Sequence, residues 1–264
     1  MRIYRFSLEF TCDKQGRPLF ASFPFMMEGA AVSGISCGVS SRFAGNMKCS
    51  EQNQARLALF AELGLDPACV YGLKQIHSTV VLNVDRHNPP AVPADGMVTK
   101  DRLLTLSVTV ADCLPVYLLD TESGAFGLVH SGWKGTGIVL EALRLMWENW
   151  RSRPQAIAAV LGPCIDSCCY KVDAQRAAFF EKEFGGESVH SSGGEFFLDL
   201  KAANTRLLAN AGVRNIAVCN DCTFTDQRLG SFRREGGQNY TNMAALIGGA
   251  LSTAQPRSVP APFR

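Results

Sequence analysis

Three short segments constrain this chain more than any other feature: KQIHS around His77, ADCLP around Cys113 and VHSGWKG around His130. Each sets a soft or borderline metal donor at the end of an apolar run, and each is followed by a small or turn-forming residue. Two imidazoles and one thiol make the ligand set of a zinc or copper site with one coordination position open, which is what a catalytic metal needs. The three are too far apart along the chain for a zinc finger, so separate strand ends must converge in one cleft. At 264 residues and 47% hydrophobic composition the chain can bury a core large enough to hold them there. We read a single domain over residues 1–251, followed at 252–264 by a Pro-rich tail, STAQPRSVPAPFR from Ser252 on, expected to be extended.

Lys and Arg total 26 against 24 Asp and Glu, a net charge of +2. That balance gives no reason to expect nucleic acid or a membrane surface as partner, so any phosphate recognition must be local. MRIYRFSLEF has neither a long apolar run nor a small-residue cleavage site, and no later stretch reaches the roughly 18 apolar residues of a membrane span. The expectation is a cytoplasmic protein. Its ten cysteines are irregularly spaced, which without a secretory signal favours reduced thiols over a disulfide framework.

Periodicity predicts a helix over 52–65, with Gly64 where a helix commonly ends. β-rich runs follow at 80–84, 103–110, 115–120 and 125–131, expected as adjacent strands of one sheet, with TESG turning between the last two. Residues 137–150 read as an amphipathic helix with Leu140, Leu143, Met146 and Trp147 on one face. A buried strand at AIAAVLG, helices over 173–184 and 200–211, the strand NIAVC and a closing helix near 243–249 complete an α/β order with α+β character.

Among the four histidines, His87 and His190 lie in polar loops and read as structural. Cys113 differs from a buried small hydrophobe because Asp112 precedes it and Pro115 follows, so the strand must break there and expose the thiol. SGWKGTG resembles a phosphate cradle before a helix, and Lys134 in it is a candidate anion contact. Neither a Walker spacing nor GxGxxG is present. Cys219 and Cys222 form a CxxC in the wrong context for a redox motif, adjacent Cys168 and Cys169 look poorly placed to chelate together, and Arg233 and Arg234 read as solvated.

The ordered segments KQIHS, ADG followed by MVT, TVADCLPVYLLD, VHSGWKG, LGPCI, LDL, CT and FRREGG resemble the YfiH-like laccase-domain family, over roughly Gly38 to Ile247. Members have been described as polyphenol oxidases and as purine nucleoside phosphorylases with adenosine deaminase activity. The resemblance implies layered mixed β-sheets flanked by helices, metal ligands His77, Cys113 and His130, and a purine nucleoside and phosphate as substrates. The chain departs from the family pattern at Asn53-Gln54, where Asn-Arg is usual, and at Thr241-Asn242, where Gly-Arg is usual. The stretch between Arg42 and Asn53 is also shorter and lacks the common Asn-Leu-Gly. If the missing helical arginine contacts phosphate, Arg56 or Arg42 must replace it, or phosphorolysis is impaired.

A multicopper oxidase needs on the order of ten histidine ligands, and four cannot supply them, although copper can still occupy the Cys/His site and a copper-binding polyphenol oxidase stays an alternative. Zinc suits three protein ligands without redox turnover. It would activate water for deamination of adenosine, as in zinc base deaminases. Phosphorolysis of adenosine, inosine or methylthioadenosine would use the same centre, with Arg42 and Lys134 placing phosphate beneath the sugar. Asp112 is a candidate acid or base, or the carboxylate that orients His77 or His130. Two other readings stay open. One is a cysteine hydrolase or amidase, with Cys113 activated by His130 or His77 and a role in cell-wall precursor editing; the other is a metal-stabilised scaffold without turnover.

Overall fold

Apolar runs bounded by turn residues form the central strands, because those are covered on both faces and need little polar alternation. The computed structural model describes residues 1–251 apart from Glu51 and Gln238, so the Pro-rich tail lies outside the described residues. The chain opens with strands β1 (Arg2–Phe6), β2 (Phe10–Cys12), β3 (Pro18–Met27) and β4 (Ala30–Ser40). Helix α1 (Gln54–Glu62) leads to the short β5 (Val70–Gly72), β6 (Val81–Asn83) and β7 (Gly96–Thr99). Next come β8 (Thr105–Val110), β9 (Leu114–Asp120), β10 (Phe126–Ser131), α2 (Ile138–Trp150) and β11 (Ile157–Leu161). After β12 (Lys171–Val172) and α3 (Ala174–Phe184) the chain forms β13 (Val189–Ser192), β14 (Glu195–Leu198) and α4 (Leu200–Asn210). It then closes with β15 (Asn215–Cys219), α5 (Phe232–Glu235) and β16 (Met243–Gly248).

Two large mixed sheets stack. One orders β1-β15-β11-β9-β10-β7-β6, the other β2-β3-β4-β16-β8-β5, and β12-β14-β13 make a small antiparallel sheet. Between the large sheets lies a core that includes Phe25, Leu106, Tyr117, Phe126 and Ile247. Fully burying a side chain the size of Phe126 contributes roughly 1.5–3 kcal/mol. Tyr117 also crosses the layer, its hydroxyl donating to Gly38 O at 2.9 Å. Leu114, Val116 and Leu118, alternating with Tyr117, face the other way and pack with Val139, Leu143, Phe180 and Leu208 of α2, α3 and α4. Leu59 and Phe60 of α1 cover the outer side of the second sheet, against Phe20 and Leu246. The layered α/β arrangement expected from the sequence is therefore present.

Three local expectations are corrected. Residues 243–248 form a strand, not a helix: β16 pairs antiparallel with β4 and β8, and all six residues are buried. MAALIG is too short and too uniformly apolar for periodicity to separate the two states. The run at 103–110 does not neighbour the other three in one sheet, since β8 belongs to the second sheet, while β9 and β10 pair through Leu119↔Phe126 to Leu114↔Ser131. The connection from β8 to β9 is therefore one of the links at which the chain changes sheets. On α2 the buried face is Ile138, Val139, Ala142, Leu143 and Met146. Leu140 and Trp147 are exposed, and Arg151 lies over the Trp147 ring.

Candidate metal centre

Asp112 and Cys113 occupy the tight link between β8 and β9, His130 is the penultimate residue of β10, opposite Pro115, and His77 sits on the loop before β6. The fold brings these together: the donor atoms of His77, Cys113 and His130 all lie within 4.8 Å of one another. The two imidazole rings meet edge to face, with centroids 5.0 Å apart. His130 is buried, Cys113 half-buried and His77 exposed, so the cluster opens to solvent on the His77 side.

Asp95, a residue given no role in the sequence analysis, organises the centre. It has no exposed surface. One oxygen meets His130 Nδ1 at 2.9 Å and accepts the His77 amide at 3.0 Å. The other accepts the amides of Ile76 and Ser78 at 3.1 and 2.8 Å and the Ser78 hydroxyl at 2.8 Å. A single carboxylate thus ties the His77 loop to the end of β10 and leaves His130 Nε2 as the free ring nitrogen. These bonds also hold His77 at φ 59, a left-handed conformation that costs a non-glycine residue about 1–3 kcal/mol. Gln75 braces the same loop from the other side, its carboxamide exchanging hydrogen bonds with the Thr109 backbone at 2.9 and 2.7 Å.

Close approach at the centre depends on Gly132. A Cβ there would lie 2.8 Å from Cys113 Sγ and 3.5 Å from His77 Cδ2. Gly135 is similarly confined, since a Cβ would meet Ser78 O at 2.8 Å, so the GWKG turn packs on the His77 loop. The amides of Gly135 and Ile138 bond within that turn, to Gly132 O and Gly135 O at 3.0 Å each, rather than pointing outward as a cradle.

Burial opposes ionisation of both Cys113 and His130, but each offsets it for the other. Facing His130 and His77, the Cys113 thiol is pulled down to about 6, while Cys113 and Asp95 push His130 up to about 9. Burial likewise opposes the charge of Asp95, and the bonds from His130 and Ser78 hold its carboxyl well below the usual range. The donor set therefore reaches neutral pH with its sulfur ionised, the form that binds a metal or acts as a nucleophile. In metal-free protein, alkylation of Cys113 by iodoacetamide should be half-maximal near pH 6. Mass spectrometry of the Cys113 peptide after timed labelling reads this, and a midpoint at the ordinary thiol value of about 8.5 would contradict the pairing.

The remaining predicted residues are placed differently. Asp112 does not touch the histidines: its carboxylate accepts from the Thr223 hydroxyl at 2.6 Å and the Arg233 amide at 2.7 Å, tying the Cys113 link to the first turn of α5 and the segment before it. The contact expected between Asp112 and an imidazole is made by Asp95 instead. Arg56 is 5% exposed, donates to Met47 O at 3.3 Å and lies over Phe60, so it packs in the core. Arg42 pairs with Glu235 at 3.2 Å. Lys134 is exposed over Trp133, which Arg176 also covers, at 5.5 and 4.2 Å from the ring centroid. Arg233 lies over Tyr170, and Cys113 and both of these arginines act electrostatically on that phenol. Arg234 is not a solvated loop residue, because it donates to the carbonyls of Thr223, Phe224, Asp226 and Leu229.

Comparison with known proteins adds a lineage to this geometry. The model of a family described as multi-copper polyphenol oxidoreductase laccase matches residues 35–250. A purine nucleoside phosphorylase of Corynebacterium glutamicum is 32% identical over 235 residues, covering 85% of this chain and 92% of that protein. One from Deinococcus radiodurans is 36% identical over 198 residues, covering 75% and 76% of the two chains. The crystal structure of YlmD from Geobacillus stearothermophilus superposes with a TM-score of 0.76 at 27% identity, covering 90% of this chain and 98% of that one.

Proposed function

The chain belongs to the multi-copper polyphenol oxidoreductase laccase family, and from that premise we propose that it is a purine nucleoside phosphorylase whose His77, Cys113 and His130 hold zinc. Its substrates in this reading are adenosine, inosine and methylthioadenosine, cleaved by phosphate, with deamination of adenosine at the same centre. The observation that carries the reading is the convergence of three remote donors within 4.8 Å, braced by a fully buried carboxylate. Two nitrogens and a sulfur fit zinc with an open position, and copper can bind the same set. A bound zinc supplies Lewis acidity and activates water at neutral pH.

The chain's own residues orient and neutralise. Asp95 fixes the His130 ring so that Nε2 faces the centre. Asp112, with both oxygens engaged, acts as a positioning residue for the Cys113 link. Lys134 and Arg176 over Trp133, together with Arg233 over Tyr170, form the cationic rim we assign to phosphate. Arg42 lies against α5, the helix whose first turn Asp112 holds, whereas the buried Arg56 supports the fold. Among the described residues, His87 and His190 stand outside the cluster, so the imidazole demand of several copper centres is not met here.

One observation favours a second reading. Cys113, His130 and Asp95 stand in the order nucleophile, base and orienting carboxylate, as a thiol hydrolase requires. Incubation of purified protein with adenosine and phosphate, scoring ribose 1-phosphate and inosine separately before and after chelation, decides between them. The proposed enzyme forms ribose 1-phosphate only with phosphate present and loses both products on metal removal. Absence of ribose 1-phosphate from every nucleoside tried would reject it, and a chelator-insensitive amidase activity would establish the hydrolase.

A further inference from the structure

The turn after β11 gathers thiols that the proposed reaction leaves unused. Cys168 and Cys169 follow one another in a turn closed by Asp166, whose carbonyl accepts the amides of Cys169 and Tyr170 at 2.9 Å each. This turn is fastened to the segment after β15. Cys164 and Cys222 form a parallel bridge, Thr223 N donates to Cys164 O at 3.0 Å, and Asp166 N donates to Cys222 Sγ at 3.3 Å. As a result the sulfurs of Cys168, Cys169 and Cys222 all lie within 4.8 Å of one another, those of Cys168 and Cys169 at 3.1 Å. Cys168 is exposed and lines a cavity of about 810 Å³ with Asp166, Lys201 and Cys219, whereas Cys222 is buried. An ion arriving through the cavity meets the exposed Cys168 thiol first and the buried Cys222 last.

We propose that Cys168, Cys169 and Cys222 form a second metal site, distinct from the His77 centre, that takes a soft monovalent ion, copper(I). The donor set is sulfur alone, and thiolates without imidazole or carboxylate select soft ions over hard ones. Structural zinc takes four ligands, and among the described residues this cluster supplies three. Asp166, on the same turn, does not complete it, being ion-paired with Lys201 at 2.6 Å. Binding requires that the adjacent sulfurs separate slightly and that Cys168 and Cys169, whose thiols burial raises above the ordinary range, give up their protons to solvent. The site stands independently of how the His77 centre is read.

The test is anaerobic titration of the reduced full chain with copper(I) against a chromogenic copper(I) chelator. Wild type should bind one equivalent more than Cys168→Ser/Cys169→Ser, and His77→Ala/Cys113→Ala should retain that equivalent. X-ray absorption of the copper in His77→Ala/Cys113→Ala should show sulfur neighbours and no imidazole scattering. Equal uptake by wild type and Cys168→Ser/Cys169→Ser would overturn the site, as would nitrogen neighbours in the absorption spectrum. Should a variant fail to fold, wild type answers alone. With zinc added first to fill the His77 centre, copper(I) should slow iodoacetamide labelling of Cys168 and Cys169 by about tenfold or more, as expected of metal-held thiolates. Labelling unchanged by copper(I) rejects the proposal.

Discussion

Asp95→Ala should be the most damaging single substitution in this chain, removing roughly 3–5 kcal/mol of stability, the usual cost of leaving a buried charge without its partner. The alanine leaves the amides of Ile76, His77 and Ser78 without their acceptor and frees the His130 ring to turn. Zinc affinity should fall by about 10–100-fold, the typical effect of losing an outer partner of a ligand histidine. Chemical denaturation and competitive zinc titration measure the two effects. A variant as stable as wild type and equally avid for zinc would remove Asp95 from the account. The carboxylate also leaves a pH signature. Its folded pKa lies below the unfolded one, so its stabilisation is complete above about pH 4 and is lost as pH falls toward the folded value. Asp95→Asn should flatten that acid limb while keeping the side-chain volume.

Cys113→Ala should abolish metal retention and reduce phosphorolysis by at least about 100-fold, more than the loss of an outer partner costs. Cys113 supplies the only sulfur of the first centre, and the two histidines left behind form a weak, poorly selective pair for zinc. Removing the thiol also ends its Coulombic support of His130, so the imidazole loses the larger of the influences that raise it. Elemental analysis of the purified variant should show almost no zinc, and the phosphorolysis assay should show little ribose 1-phosphate. Full activity together with an empty centre would mean that the reaction does not use this site. Thermal stability should change modestly, because Cys113 is half-buried in a link whose anchor is the Asp112 carboxylate.

Much of the second half of the fold was legible. NIAVC at 215–219 and the helices near 138–150, 174–184 and 200–210 could be read because apolar period and turn punctuation agree there. Of the α2 face expected from the sequence, Leu143 and Met146 are buried while Leu140 and Trp147 are exposed, because only packing decides which edge of a broad apolar stripe is covered. β16 was missed as a strand because six uniformly buried residues carry no period. The four N-terminal strands gave weak patterns: the β3–β4 pairing shifts register between Phe23 and Phe25, which interrupts the alternation a strand normally shows. At the site, the ligand trio was legible by residue type, while Asp95 was hidden. An Asp-Gly before a short strand looks like turn chemistry, and only a fully buried aspartate reveals itself as a bracket.

By itself the sequence determined which atoms are available: two imidazoles and a thiolate at the ends of apolar runs, and an α/β order able to bury them. Those properties are local, set by side-chain chemistry and by periodicity over a few residues. The tertiary structure alone decided which groups meet. It chose Asp95 over Asp112 as the partner of His130, moved Arg56 into the core, and brought Cys222 beside Cys168 and Cys169. Such choices depend on which strands become neighbours and how the two large sheets stack. That follows from burying the whole apolar surface at once, a cooperative requirement that no short segment carries.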